Sequence, residues 1–473
     1  MNPRHIWPAA TFAIVVMTGC QTYVEQPLDL ASHATAFDHR IVDLASIRSY
    51  AAHLDDDEAI VPASFAFDDG LTLAEAEVVA LFYNARLRRE RLAVGIARAT
   101  MDHAGQWDDP IFGFDGAEIM SPSQPFQLGL RLDFTIPVSG RLDVERDRAT
   151  SAHDAALRSV AHAEWTVRIT VRDAWTNWTL AEQHLALHRE MVAQIESIAG
   201  TAARLESAGE LSRVEARLFR VELAERRVAM LEAEHAAYRS RMHVTNLIGL
   251  PPNAEVDLVP SLAMATPPPV DDESRRIIEC NTALAVQRAA YQVAEDTLRL
   301  EMRKQYPDIT FGAGYGSENN DDRLLLGVSL PIPVFNRNQA GIAEAEAMRS
   351  YARAQAETTY ERLLHEIARA HADRSAARAQ WTRFESDVIP MLDEQAADVI
   401  RIAELGDVDT LILLTTVERH FEVRSRLLEL KREEVRAALE VIRHRGPDQP
   451  HQTATHSRAP SESDASTTNG AEQ

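Results

Sequence analysis

Lysine is almost missing from this 473-residue chain: it occurs only at Lys304 and Lys431, so arginine carries nearly all of the positive charge. The formal net charge of −23 argues against a nucleic-acid partner, because neutralising phosphates needs a basic footprint. An acidic surface or conduit tolerates cations far better. Aromatic residues make up only 6% against 45% hydrophobic residues in all, and the abundance of Ala, Arg, Glu and Leu favours long helices over a sheet-rich globule. Cysteine occurs twice, at Cys20 and Cys280, which is too little for a disulfide framework; Cys280 reads as a small apolar residue on a helix. Proline is absent from Arg141 to Ser207, and only Gly341 and Pro390 interrupt Asn336 to Leu405. At 1.5 Å per residue each stretch would run on the order of 100 Å, taller than any ordinary globular domain. No nucleophile elbow, phosphate loop or Cys-x-x-Cys occurs. Nor is there an apolar run long enough to span a bilayer as a mature helix: Ile6 to Met17 is too short.

That short run is an address label. Arg4 and His5 precede it, and it closes with Val16 to Cys20, "VMTGC". Thr18 and Gly19 before a cysteine resemble a bacterial lipoprotein signal, in which the cysteine is lipidated and becomes the mature N-terminus. Met17 stands where leucine is commoner. Gln21 follows the cysteine where aspartate would favour inner-membrane retention, so the resemblance implies the outer membrane. The alternative is an ordinary signal peptide with an incidental cysteine.

The rest of the chain repeats itself. At an offset of 197, Asn84 lies over Asn281, Pro110 over Pro307, Gly209 over Gly406 and Gly249 over Gly446. "FTIPVSGRLDVERDRA" (Phe134–Ala149) and "LPIPVFNRNQAGIAEAEA" (Leu330–Ala347) match at 196. Five landmarks in order at nearly one offset mark a duplicated unit. Each half reads helix, strand, strand, long helix, helix.

The strands alternate. Leu128, Leu130, Leu132 and Phe134 share one face while Gln127, Gly129, Arg131 and Asp133 share the other. Ile309, Phe311, Ala313 and Tyr315, then Leu324, Leu326, Val328 and Leu330, repeat the pattern. Strands are predicted over Asp109–Gly116, Gln127–Val138, Ile309–Gly316 and Leu324–Leu330, with polar loops "SPSQ" and "SENNDDR" between them. Their length, about 8 to 12 residues, is close to the roughly 9–11 that cross a membrane as tilted strands. Four strands cannot close a barrel, and open edges are not tolerated in lipid. Oligomerisation must supply the rest: three copies would give twelve strands, two would give eight.

Each long helix turns at its glycine into a return helix of about forty residues, which with the helix before the strands (Leu73–His103, Ser274–Lys304) totals close to the long one in rise. Leu414, Phe421, Leu428, Val435 and Ile442 fall seven apart, a coiled-coil seam. Val214, Val221, Val228 and Met242 form a similar seam, with His235 filling the gap.

These residues resemble the TolC-type outer-membrane efflux proteins. "LTLAEAEVVALFYNARLRRERL" (Leu71–Leu92) is similar to the family's opening. "LESAGELSRVEARLFRVELA" and "IAELGDVDTLILLTTVERH" are similar to its helical tips, and "NLIGLPP" to a helix end. "SLPIPVFNRNQAGIAEAEA" resembles the turn of the heavy-metal branch (cobalt–zinc–cadmium and copper–silver), where lipidated members are common. The likeness spans Leu71 to Gly446.

It implies a mainly α, TolC-like fold: long coiled-coil hairpins forming a periplasmic α-barrel, with four amphipathic strands per chain in a trimeric outer-membrane β-barrel. It also implies a homotrimer that works with an inner-membrane resistance-nodulation-division pump and a periplasmic adaptor (membrane fusion protein). Cys20 would carry a covalent lipid such as palmitate, and no cofactor, metal centre or catalysis is expected. The tips meeting the adaptor would be Gly209, Glu210, Leu211 and Ser212, and Gly406, Asp407, Val408 and Asp409. In the best-known members an aspartate pair rings the closed mouth; the aligned positions here are Ile412 and Thr415, so that ring does not carry over. Asp407 and Asp409 either line the entrance or cap the following helix.

The chain divides into a signal (1–19), a lipidated extension (20–70), repeat 1 (71–252), a linker (253–272), repeat 2 (273–446) and a polar tail (447–473). The extension is expected to be an extended wrap or spacer. "HEIARAH" is not a zinc-protease motif, because His365 and His371 are six apart where four are needed; His444, His451 and His456 near the tail are a weak metal-binding alternative to plain disorder. The readings to separate are a metal-cation exit duct, a drug or protein-secretion duct of the same fold, and a periplasmic coiled-coil adaptor. Two hairpins plus four strands disfavour the last.

Overall fold

The computed structural model describes residues 22–40, 44–53, 69–117, 127–262, 272–318, 321–404 and 410–447. It separates into two units, 1–41 and 42–473. The first holds one described helix, α1 (Leu30–Asp38), opened by Asp29, whose carboxylate accepts from the Ala31 and Ser32 amides at 3.1 and 2.9 Å. All further elements belong to the second unit. They begin with α2 (Leu44–His53), whose Ile47 is fully buried against the large core. Part of the extension expected as an extended wrap or spacer is thus helical.

A capping box of Thr72 and Glu75 starts α3 (Leu73–Tyr83), and the chain breaks at Asn84 before α4 (Ala85–Asp102). The single helix expected over Leu73–His103 is therefore two. Asn84 sits at φ −60°, ψ 123°, outside helical backbone, and its side chain accepts from the Arg86 and Leu87 amides as an N-cap. Strands β1 (Ile111–Ala117) and β2 (Gln127–Ile136) follow, then α5 (Arg141–Ala208), α6 (Arg213–Leu247), α7 (Glu273–Cys280) and α8 (Thr282–Arg303). Next come β3 (Ile309–Glu318), β4 (Asp321–Ser329), α9 (Gln339–Arg383), a π turn at Phe384–Val388, α10 (Ile389–Glu404) and α11 (Thr410–Arg445).

The first long helix is as expected: α5 is 68 residues without a break, about 100 Å of rise. The second is interrupted. Pro390 lacks an amide and its ring crowds the carbonyl four residues back, and the ladder widens into a π turn just before it. In the first repeat the aligned residue is Ala193, which asks nothing of the helix.

The sheet is antiparallel in the order β1-β2-β3-β4, and β2–β3 joins the two repeats: Phe134 faces Phe311 and Thr135 faces Thr310, their hydroxyls 3.1 Å apart. β3 and β4 run further than predicted, with Glu318 paired to Asp321, so most of "SENNDDR" is strand. "SPSQ" lies outside the described residues. Within the predicted linker, Leu258 bridges Leu71, and the Leu71 amide donates to Asp257 O at 2.7 Å.

Packing follows the repeat. Val78, Val79, Leu87, Trp175, Trp178, Val244 and Ile248 bury one core; Met191, Ile195, Phe219 and Leu414 a second near the tips; Ile277, Leu284, Leu363 and Ile367 a third. Leu414, Phe421, Leu428, Val435 and Ile442 are buried or half-buried, as a seam requires. The other predicted seam faces outward: Val214, Val221 and Val228 are 80%, 49% and 57% exposed. Within the chain α6 packs instead through Ala216, Phe219, Ala237 and Val244.

Candidate membrane sheet, entrance tip and repeated joint

Three places carry the architecture that matters. The first is the sheet. Its register aligns Phe112, Leu132, Ala313 and Leu326 across the four strands, and Phe114, Leu130, Tyr315 and Leu324 in the next row. One face is apolar: Phe112, Phe114, Phe311, Tyr315, Leu324 and Leu326 on it are exposed, and Leu128, Leu130 and Leu132 of β2 are half-buried between them. The opposite face holds Asp115, Arg131, Asp133, Thr135, Thr310 and a run of glycines; Arg131 pairs with Asp133 at 2.8 Å. Water does not favour such an exposed apolar face, whereas lipid does.

At the foot of the sheet Arg141 donates to Asp108 (2.9 Å) and Asp308 (2.8 Å), tying the entries of β1 and β3 together. The two strand-to-helix turns share one backbone state. Gly140 has φ +68°, and Arg337, 197 residues on, has φ +46° with Asn338 at +53°. Glycine adopts this left-handed geometry freely. Arginine and asparagine are held there in part because Asn338 Nδ2 donates to Glu301 O (2.9 Å) and Glu301 Oε2 (2.7 Å). Burial works to raise the Glu301 pKa, but bonds from Lys304 and Asn338 outweigh it and hold the carboxyl below its ordinary range.

The second place is the tip after α5. Gly209 ends the helix at φ +79°, the Glu210 amide donates back to Leu205 O at 2.9 Å, and Ser212 and Glu215 cap α6 reciprocally. Glu210 and Ser212 are exposed, whereas Leu211 tucks against the second core. Of the four residues expected there, Leu211 is thus a packing residue and Glu210 presents surface. Gly406, Asp407, Val408 and Asp409 lie outside the described residues, as does Cys20. Ile412 is half exposed and the Thr415 hydroxyl donates to its carbonyl at 3.1 Å in the first turn of α11.

The third place, which sequence reasoning saw only as matching letters, is a joint built twice. Asn84 Nδ2 donates to Leu247 O at 2.8 Å and Asn281 Nδ2 to His444 O at 2.6 Å, both across 163 residues. Gly249 (φ +79°) lies against Tyr83 O and Gly446 (φ +86°) against Cys280 O. Arg91 donates to Leu81 O (2.9 Å) and Arg288 to Ile278 O (3.2 Å). Each glycine after a return helix is therefore docked on the break between the two helices that lead to the strands.

Ionic clasps differ between the copies. Buried Glu77 is held by Arg168 and Arg172, while Glu273 is held by Arg445 and His371. Burial favours the neutral form of Glu273, but those two partners win and its pKa is lowered. His444 sits between Glu366 and Glu440, each at 3.2 Å; His451 and His456 lie outside the described residues. His365 is exposed while His371 is engaged at this clasp.

This is the fold of the outer-membrane efflux channels. The solved channel CusC superposes with a TM-score of 0.67 over 82% of this chain and 96% of its own, at 17% identity. CmeC of Campylobacter jejuni gives 0.68 over 92% and 95%, at 14% identity. In sequence, residues 274–403 match the family described as outer membrane efflux protein. The cobalt-zinc-cadmium resistance protein CzcC of Cupriavidus metallidurans is 26% identical over 324 residues, 66% of this chain and 75% of its own. The second repeat thus matches the outer membrane efflux protein family in sequence, and the chain shares the fold of the solved efflux channels. The family match falls wholly in the second repeat; the duplicated joint extends the same architecture to the first.

Proposed function

We propose that this chain is the outer-membrane exit duct of a tripartite efflux system, fed by an inner-membrane resistance-nodulation-division pump through a periplasmic adaptor, and that its cargo is heavy-metal cations. The observation that carries the duct is the exposed apolar face of the four-stranded sheet, joined directly to helical hairpins on the order of 100 Å long. The sheet sits in the outer membrane, lipid on its apolar face. The chain is anchored by lipid on Cys20 and performs no catalysis. Residues 209–212 and 406–409 meet the adaptor. The likeness to CzcC supports the metal cargo; the fold shared with other channels makes organic compounds the second arm of the test.

That test is growth. A strain lacking the protein is challenged with zinc, cobalt, cadmium and copper, and separately with dyes and antibiotics, with and without the gene restored. Sensitivity of the deleted strain to the metals alone, rescued when the gene is restored, is the expected result. Rescue confined to organic compounds would overturn the cargo and leave a multidrug duct.

A further inference from the structure

In "EQHLALHRE" (Glu182–Glu190) His184 and His188 are four apart on α5. That spacing places both rings on one helical face, their Cβ atoms about 5–6 Å apart, where His365 and His371 fail. Both rings line one cleft of 370 Å³ among α5, α6 and α11, together with Glu232 and Glu429. His184 Nε2 stands 3.7 Å from Glu429 Oε1, an ion-pair separation and too long for a hydrogen bond. His188 rests edge-on against Phe421, with centroids 4.8 Å apart.

We propose that His184 and His188 form a two-point chelate for a divalent transition-metal ion of the imidazole-preferring kind, such as zinc or copper. Among the described residues no three His, Cys, Asp or Glu side chains stand together as a finished ion cage. Water therefore fills the remaining positions, and Glu232 and Glu429 supply charge around the ion. A site with only two protein ligands binds weakly, since three or four are usual for zinc. Mg²⁺ and Ca²⁺ prefer oxygen ligands and are not held.

The protonation state fits. Burial lowers the pKa of both rings, His184 weighing next on His188, while Arg432 and Arg226 add to the effect and Glu429 and Glu232 oppose it. Neutral imidazole is the ligating form, so binding weakens as the medium is acidified. Arg432, paired with Glu429, also lines the cleft.

The test uses the purified full-length protein in detergent, dialysed against Zn²⁺. The wild type is expected to hold one more ion per chain than the His184→Gln/His188→Gln variant, and either single variant to bind at least about tenfold more weakly, the loss of a chelate partner. Equal stoichiometry and affinity in all four proteins would overturn the proposal. A second measurement needs no variant: carbethoxylation of the wild type, mapped by peptide mass, is expected to slow at both rings under Zn²⁺ and not under Mg²⁺. Unchanged modification at saturating Zn²⁺ would likewise overturn it. This binding stands apart from the growth phenotype, so loss of the site leaves the duct reading intact and the reverse holds too.

Discussion

A methyl group at Gly249 would stand 2.5 Å from Tyr83 O, in backbone at φ +79° that side chains rarely adopt. Gly446 is the same case against Cys280 O. Gly140 is also left-handed, at φ +68°, but nothing lies within 4 Å of its absent Cβ. The three residues therefore separate conformational strain from collision. Gly140→Ala is expected to cost about 1 kcal/mol, the strain alone. Gly249→Ala and Gly446→Ala add a backbone clash and the loss of a docked joint, about 2–4 kcal/mol in all. Urea midpoints of the three variants in detergent measure this. Similar losses at all three would show that the joint contributes nothing. The glycines themselves could be read from the sequence as helix ends repeated at one offset. What each glycine touches could not, because Tyr83 and Cys280 meet them across more than 160 residues and neither is distinguished by type.

Whole elements were the most legible scale, and their boundaries failed for identifiable reasons. Alternation at Gln127–Phe134 and the proline-free run from Arg141 gave β2 and α5 almost to the residue, since each period is set by the element's own geometry. The helix over Leu73–His103 was overrun at Asn84 because asparagine is tolerated inside helices and signals a cap only when its partner amides follow. Leu325 and Leu326 are neighbours in β4, 55% and 78% exposed, on opposite faces. In lipid, an arginine at Leu326 is expected to cost about 2–4 kcal/mol near the midplane and to abolish heat-resistant assembly in the outer membrane. Leu325→Arg on the polar face is expected to assemble normally. The reverse ranking would put the wrong face toward lipid.

At the scale of the whole molecule, two unfinished surfaces ask for the same partner. Among the described residues β1 and β4 are edges with no strand beside them, and open edges are excluded from lipid. On α6 a stripe of Val214, Val221, Val228, Leu231 and Tyr238 lies exposed, at spacings of seven and three that suit a helix from outside the chain. A second copy satisfies both, since its β1 can pair with β4 while its helices cover the stripe. The number of copies follows from the bore. Two chains give eight strands, and a barrel of about eight has an interior that side chains fill. Three give twelve and leave a passage, which a duct needs. The expected native mass in detergent is therefore that of three chains. Val221→Asp/Val228→Asp, which leaves the α6 core residues Phe219 and Val244 untouched, is expected to release folded single chains with unchanged helix content. A mass of two chains, or a trimer indifferent to two buried aspartates per protomer, would mean that the stripe is not the seam and that the barrel closes in another way.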